Sequence, residues 1–533
     1  MQIFFVITLI TFSSVFPKPL PSTKNHNYIQ KEKVQGNDNL NELNADFWEI
    51  NAKSTLTERL RRSINTNTAK NVILFLGDGM SISSLTAARI YLGQQNKKNG
   101  EETFLSFEKF PFSGLIKTYC VNAQVADSGC AATAYLCGVK ANKATVGVTA
   151  ATKLSDCEAM NNETNQVSSV AQLFQLAGKR TGFVTTTRVT HSSPAGLYAH
   201  IADKDWETDA KVTASGKDSK QCIDIAQQLI HGNIGRKLNV IFGGGRTSFL
   251  PNTVRDEDNN LGWRNDSRNL INEWKQLKRE TKHKYVYNLE GMKNLSLDEA
   301  YVLGIFDSDH MEFNLDRDTK SKPSLSEMTV KAIEILSQEE KGFFLFVESG
   351  RIDHAHHEAL TRIALDETIQ LHKAIEAAVN ISDSDYTLIV VASDHSHAMT
   401  FNGYQKRGNN ILGIAGIGED NLPYTTLSYA VGPSGINGSR PDITNDNLED
   451  PHYKFPSYVM RHRSTHGGED VAIFAKGPWA HLFSGVTEQH VVPYLLGFAS
   501  RVGNFTDYVQ KSGSQNILTF SLLSMLSLTI ALF

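Results

Sequence analysis

Phe343-Phe344-Leu345-Phe346-Val347-Glu348-Ser349-Gly350-Arg351-Ile352-Asp353-His354-Ala355-His356-His357 runs from five apolar residues directly into carboxylates and imidazoles. A short, continuously apolar run reads as a strand covered on both faces. Asp353 and His357 then stand four apart, which on a helix puts them on one face. That spacing suits a shared cation, and an Asp–His capping pair is the plainer alternative. The pattern recurs along the chain. Val72–Leu76 leads into Gly77-Asp78-Gly79, and Gly182–Thr187 into Arg188-Val189-Thr190-His191-Ser192-Ser193. Thr387–Val391 leads to Asp394-His395-Ser396-His397. Asn239–Phe242 and Val471–Phe474 are further strand candidates, the last preceded by Ser464-Thr465-His466-Gly467-Gly468-Glu469-Asp470. Apolar runs alternating with helical stretches predict an α/β fold with a large, doubly wound, mostly parallel central sheet and helices on both faces. Such sheets bind ligands outside the carboxyl ends of their strands. Four strand ends therefore carry metal-type side chains toward one crevice, and His466 reaches it from just before the last strand. Each segment alone is bland; their coincidence carries the weight.

The chain of 533 residues is 40% apolar and 21% charged, with a formal net charge of −4. This composition supports a sizeable core. It excludes a disordered tail protein, a disulfide-dense miniprotein and a strongly basic binder, so no nucleic-acid partner is expected. Residues 1–19 read as a secretory signal peptide, and residues 20–70 as a polar N-terminal arm with a short helix near Asp46–Leu60. Residues 71–401 and 464–505 form the α/β core. Residues 402–463, rich in Gly, Asn, Asp and Pro, read as an inserted cap. Residues 506–533 end in an apolar stretch after Ser512-Gly513-Ser514, the pattern of a GPI-anchor signal with Ser512 as attachment site. Localisation at the outer face of the plasma membrane follows. Sequons at Asn162, Asn265, Asn294, Asn380, Asn437 and Asn504 agree with secretion. The five cysteines, Cys120, Cys130, Cys137, Cys157 and Cys222, leave at least one thiol free and form no C-x-x-C pair.

The nucleophile candidate is Ser128, in Val125-Ala126-Asp127-Ser128-Gly129-Cys130-Ala131-Ala132-Thr133. A helical pattern over Ala131–Leu136 places Ser128 near a helix N-terminus, an anion site, with a simple cap as the alternative. No Gly-x-Ser-x-Gly elbow accompanies it, so a cation is the expected activator of its hydroxyl. Imidazole with carboxylate and no thiolate suits catalytic zinc, and an oxygen-only set suits magnesium. Paired metals are a standard arrangement for phosphoryl transfer. Gly243-Gly244-Gly245-Arg246 lacks the Gly-Lys-Ser/Thr ending of a phosphate loop and reads as a strand-to-helix turn.

These segments together resemble alkaline phosphatases of the animal, membrane-bound type, over roughly Asp46 to Asn504. Asp127-Ser128 matches the core of the nucleophile signature. The segments around Glu348–His357, Asp394–His397 and Thr465–Asp470 match its metal motifs. The resemblance implies hydrolysis of phosphate monoesters through a phosphoserine on Ser128, with two Zn²⁺ and one Mg²⁺ per chain. It implies one zinc on Asp353, His357 and His466, and a second on Asp78, Asp394, His395 and Ser128. It places the magnesium on Asp78, Ser193 and Glu348. His191, His354 and His397 would stand behind these ligands. A Cys157–Cys222 disulfide is implied, worth about 4 kcal/mol by chain-entropy reasoning. So are a crown at residues 402–463, a homodimer with the N-terminal arm on the neighbouring subunit, and a lipid anchor.

Four departures stand out. Lys204 stands where the family has a phosphate-binding Arg; with Asp127 it is expected to position phosphate, but as a point charge instead of a planar fork. This weakens catalysis without abolishing it. Its alternative is a surface binding protein or receptor whose phosphatase activity has decayed. Ser81 replaces a usual Gly after Met80, a mild change. Lys322 occupies the calcium-binding position of vertebrate relatives, so a calcium cofactor is not expected, and the family's second disulfide near the C-terminus has no cysteines here.

Overall fold

A computed structural model describes residues 40–505. The signal peptide and the anchor signal with Ser512 lie outside the described residues.

The centre is one sheet of ten strands. In chain order they are β1 (Asn71–Gly77), β2 (Phe112–Lys117), β3 (Arg180–Arg188), β4 (Val240–Gly244), β5 (His283–Val286), β6 (Tyr301–Ile305), β7 (Phe343–Ser349), β8 (Thr387–Ser393), β9 (Val471–Lys476) and β10 (Gly485–Glu488). Their spatial order is β10-β2-β9-β8-β1-β7-β3-β4-β6-β5. β1, β7 and β8 sit at the middle, fully covered, which is why they are the most continuously apolar runs in the chain. Their side chains alternate between two cores. Leu74, Leu76, Phe344 and Phe346 face one, and Ile73, Phe75, Phe343 and Leu345 face the other. All pairings are parallel except those of β9, which runs antiparallel to β8 and β2. The doubly wound sheet is thus mostly parallel.

The structure adds to the sequence reading. β2, β5, β6 and β10 were not anticipated. β2 and β5 are only partly covered and β10 is a short, exposed edge, so these three lack the long apolar run of a buried strand, whereas β6 is buried beyond Tyr301 but is only five residues long and interrupted by Gly304. Consequently β9 is not the last strand. Its reversed direction matters: the start of an antiparallel strand lies at the carboxyl ends of its parallel neighbours, and that is how His466 arrives there.

The N-terminal helix spans Ala45–Leu60, capped by Asn44, and has no buried residue. Between Met399 and Met460 the chain forms a three-stranded sheet (Met399–Phe401, Leu427–Gly432, Ser457–Met460) and a two-stranded one (Ile414–Ile417, Pro423–Thr425). Gly245, with φ of +98°, turns β4 into the short helix Arg246–Phe249. Arg246 is buried against Asp256 and Asp258, so this turn is a structural element.

Candidate metal centre and nucleophile

Each predicted strand end delivers its side chains to one place. Asp78 follows β1, Glu348 sits within the last residues of β7, and Asp394 and His395 follow β8; all four are fully buried. Asp353 and His357 lie on the helix Arg351–His357, which starts two residues after β7. Gly79 makes the convergence feasible. Its φ is +68°, its N–H donates to Asp394 Oδ1 at 3.0 Å, and a Cβ there would lie 3.1 Å from both Asp353 Oδ1 and His397 Cδ2.

Three groups of ligand-type atoms result, each within 4.8 Å internally: Asp353, His357, His397 and His466; Asp78, Asp394 and His395; and Asp78, His191 and Glu348. In the first, His357 Nδ1 faces the carbonyl of Ser464 at 2.7 Å and His466 Nδ1 that of Ala126 at 2.7 Å. Those carbonyls hold the protons on Nδ1, leaving both Nε2 lone pairs free. The two Nε2 atoms are 3.2 Å apart, and each lies within 3.4 Å of the Asp353 carboxylate. Two imidazole lone pairs beside a carboxylate fit a catalytic zinc. In the second group, His395 Nε2 is 3.3 Å from Asp394 Oδ2, 3.6 Å from Asp78 Oδ1 and 3.4 Å from Ser128 Oγ. The rings of His395 and His466 stack at 3.6 Å, joining the first two groups. In the third, Glu348 Oε2 accepts from Thr185 at 2.5 Å and from Thr187 at 3.3 Å. Ser193 is fully buried beside Glu348.

The electrostatics suit a cation. Burial and neighbouring carboxylates push Glu348 up to about 7, Asp394 up to about 6, and Asp78 well above the ordinary carboxylate range. Burial raises Asp353 too, but the imidazoles of His357, His397 and His466 hold it well below that range. Among the described residues, both oxygens of Asp78, Asp394 Oδ2, Glu348 Oε1 and Ser193 Oγ are buried without a hydrogen-bond partner. Orphaned oxygens in a dry interior are costly. Here they point at common centres, so the residues present fit divalent metals.

Ser128 is the first residue of the helix Ser128–Cys137. Asp127 caps it, accepting from the N–H groups of Gly129 (3.3 Å), Cys130 (3.3 Å) and Ala144 (2.9 Å). Lys204 Nζ stands 3.3 Å from Asp127 Oδ2. Burial opposes the charge on Asp127, but Lys204 and the three N–H donors prevail and lower its pKa.

Two histidines sit closer to the ligand atoms than the sequence reading placed them. His397 Nε2 is 3.2 Å from Asp353 Oδ1, and His191 shares a group with Asp78 and Glu348. Sequence spacing does not reveal which side of a carboxylate an imidazole approaches. His354 stands apart from those groups, its Nδ1 2.9 Å from Arg351 Nη1. His310 was missed. Its ring packs 4.3 Å from His354 and 5.4 Å from His191. It follows β6, and recognising that strand is the signal that would have found it. The disulfide Cys157–Cys222 is present, and Cys137 is free. A second disulfide, Cys120–Cys130, was not anticipated. Lys322 Nζ donates to Asp258 Oδ2 at 2.7 Å and the Phe306 carbonyl at 2.8 Å, with Asp307 at 3.7 Å, so an ammonium lies among these oxygens. All six sequon asparagines are exposed.

Comparison with known proteins places this geometry. The profile of the family described as alkaline phosphatase matches residues 69–502. The membrane-bound alkaline phosphatase of Bombyx mori is 46% identical over 474 residues, covering 87% of this chain and 86% of that protein. The tissue-nonspecific isozyme of alkaline phosphatase from Homo sapiens is 45% identical over 474 residues, covering 87% and 90% respectively. Among solved structures, alkaline phosphatase from Thermus thermophilus superposes with a TM-score of 0.58 at 21% identity, over 82% of this chain and 92% of that one. That likeness speaks for the fold.

Proposed function

The chain belongs to the alkaline phosphatase family and is a phosphatase, and from that premise we propose that it hydrolyses phosphate monoesters through a phosphoserine on Ser128. The observation that carries this reading is the set of orphaned, buried carboxylate oxygens gathered beside the Ser128 hydroxyl. Asp353, His357 and His466 would hold one zinc, Asp78, Asp394, His395 and Ser128 a second, and Asp78, Ser193 and Glu348 a magnesium. When bound, these cations neutralise the charge of the transferring phosphoryl group and favour the ionised form of the hydroxyl.

The chain's own residues do the rest. The helix N-terminus at Ser128 favours a dianionic substrate. Lys204 offers a positive charge to a phosphate oxygen, and Asp127 holds that ammonium in place. Ser128 Oγ bonds to phosphorus as the alcohol leaves; water then cleaves the phosphoserine, releasing phosphate and restoring the hydroxyl. His397 orients the Asp353 carboxylate, and the Ala126 and Ser464 carbonyls orient His466 and His357.

The same likeness supports secretion, a lipid anchor at Ser512 at the outer membrane face, glycans on the exposed sequons and pairing of two copies. Trp48, Ile50, Leu56 and Leu60 on the N-terminal helix and Tyr404, Tyr458 and Met460 in the 399–460 region are exposed apolar side chains suited to a second copy. Among the described residues no helix is long and apolar enough to cross a membrane.

The test is turnover of a chromogenic phosphate monoester at alkaline pH, with zinc and magnesium supplied or chelated, for the wild type, Ser128→Ala and Lys204→Arg. Metal-dependent turnover in the wild type that Ser128→Ala loses is expected. Its absence from both the wild type and Lys204→Arg would sink the enzyme reading. Turnover in Lys204→Arg alone would favour decay into a binding protein.

A further inference from the structure

We propose that the Cys120–Cys130 disulfide positions the catalytic apparatus, by clamping the loop that carries the nucleophile and its two supports. The inference rests on the phosphatase reading above. The disulfide closes a ring between residues ten apart in sequence. Three contacts of the site originate inside that ring. The Ala126 carbonyl orients His466, at 2.7 Å from Nδ1. The Asp127 carboxylate holds Lys204 at 3.3 Å. Ser128 carries the hydroxyl, 3.4 Å from His395 Nε2.

The other ties on the outer part of this loop are few and noncovalent, Asn122 Oδ1 accepting from Lys143 N–H at 2.8 Å among them. Val121 is 55% exposed and Val125 38%, so the small side chain of Ala123 is the apolar anchor between them. Its outer side lines an open cleft of about 580 Å³ with Lys117, Gly468 and Asp470. Cys120 N–H donates to the Ala123 carbonyl at 3.0 Å, and Val121 N–H to that of Ala141 at 2.9 Å. The two sulfurs are buried and both bear on Asp127: Cys120 Sγ lies 3.9 Å from Oδ1, and Cys130 Sγ 3.5 Å from the Asp127 carbonyl oxygen. Cys130 sits in the first turn of the Ser128 helix, so the crosslink ties that turn to the start of the preceding loop. Cys120, Asp127 and Cys130 lie close enough together to suggest a metal site. The sulfurs are bonded to each other, however, so neither is a thiolate ligand. Catalytic groups must be held to a fraction of an ångström. Ala126, Asp127 and Ser128 are buried at the inner end of the loop, and the covalent ring fixes the exposed remainder against them.

The test uses full-length protein loaded with zinc and magnesium, and compares the wild type with a Cys120→Ala/Cys130→Ala variant. Turnover is expressed per folded, metal-loaded molecule, with metal content from elemental analysis, inhibition by inorganic phosphate and the melting temperature alongside. A five- to fiftyfold fall in kcat, with a weaker phosphate inhibition constant, is expected in molecules that retain their metals. A kcat and inhibition constant within twofold of wild type, whatever the melting temperature, would overturn the proposal and leave a simple staple. If the variant does not fold, the native protein is treated with a trialkylphosphine. The phosphine attacks one sulfur, expels the other as thiolate and takes the oxygen of water to become a phosphine oxide, leaving two thiols. Activity is read first, and iodoacetamide labelling with peptide mass spectrometry then shows which bridge opened. Activity falling in step with labelling of Cys120 and Cys130, ahead of Cys157 and Cys222, supports the clamp; full labelling with unchanged turnover refutes it. An inactive wild type would sink the phosphatase reading and the clamp with it, whereas an active wild type matched by its variant sinks the clamp alone.

Discussion

At position 204 an ammonium stands beside Asp127 where the family resemblance calls for a guanidinium. A guanidinium binds two phosphate oxygens in a fixed plane, and one charge-assisted hydrogen bond is worth about 1.5–3 kcal/mol. Lys204→Arg is therefore expected to tighten inhibition by inorganic phosphate and raise kcat/KM by roughly ten- to a hundredfold. Equal constants in the two forms would count against a phosphate contact at this position. Gly79 is the second decisive residue. A Cβ there meets Asp353 and His397 at 3.1 Å, in a backbone conformation that side chains disfavour. Gly79→Ala should lose metal during dialysis and drop in kcat by about tenfold or more, since a 1 Å displacement costs on that order. Elemental analysis before and after dialysis checks it.

At the scale of an element, the segment after β3 carries both His191 and Ser193, and Glu207 pins it. The Glu207 carboxylate accepts from Arg188 at 2.7 and 2.6 Å and from Thr190 at 2.6 Å, and Lys211 approaches to 2.8 Å. Burial alone would raise its pKa, but Arg188 and Lys211 hold it well below the ordinary carboxylate range. A depressed folded-state pKa contributes stability that is complete above the unfolded value, about 4.3, and drains away as pH falls below it. Glu207→Gln strips a buried pair of one charge and should cost about 3 kcal/mol at neutral pH. The gap between wild type and variant should shrink below about pH 4. Urea denaturation midpoints at several pH values measure this, and a gap that stays constant into acid would refute the assignment.

Across the whole molecule, strand ends from both halves of the sheet meet at the same carboxylates, so divalent metals held there would link binding to global stability. A ligand that binds only the folded state adds about 4 kcal/mol at a thousandfold excess over its dissociation constant. Chelation is expected to lower the melting temperature and to loosen hydrogen exchange selectively at Asp78, Glu348 and Asp394. Calorimetry and exchange with and without chelator check both, and a melting temperature indifferent to chelation would argue against buried metals.

Local signals make much of this protein legible in its sequence. β1, β7 and β8 announce themselves because strands covered on both faces must be continuously apolar. Asp353 and His357 declare a shared face by their spacing, and the strand ends mark the site because parallel sheets open there. Tertiary structure alone decided the remainder. β9 runs backwards, a matter of connection that no side-chain pattern encodes, and that reversal brings His466 to the others. His310 hides behind β6, and the pairing of Cys120 with Cys130 depends on how a loop folds over a helix. Local propensity and burial are written residue by residue, whereas direction, register and the approach of distant side chains arise only when the whole chain packs.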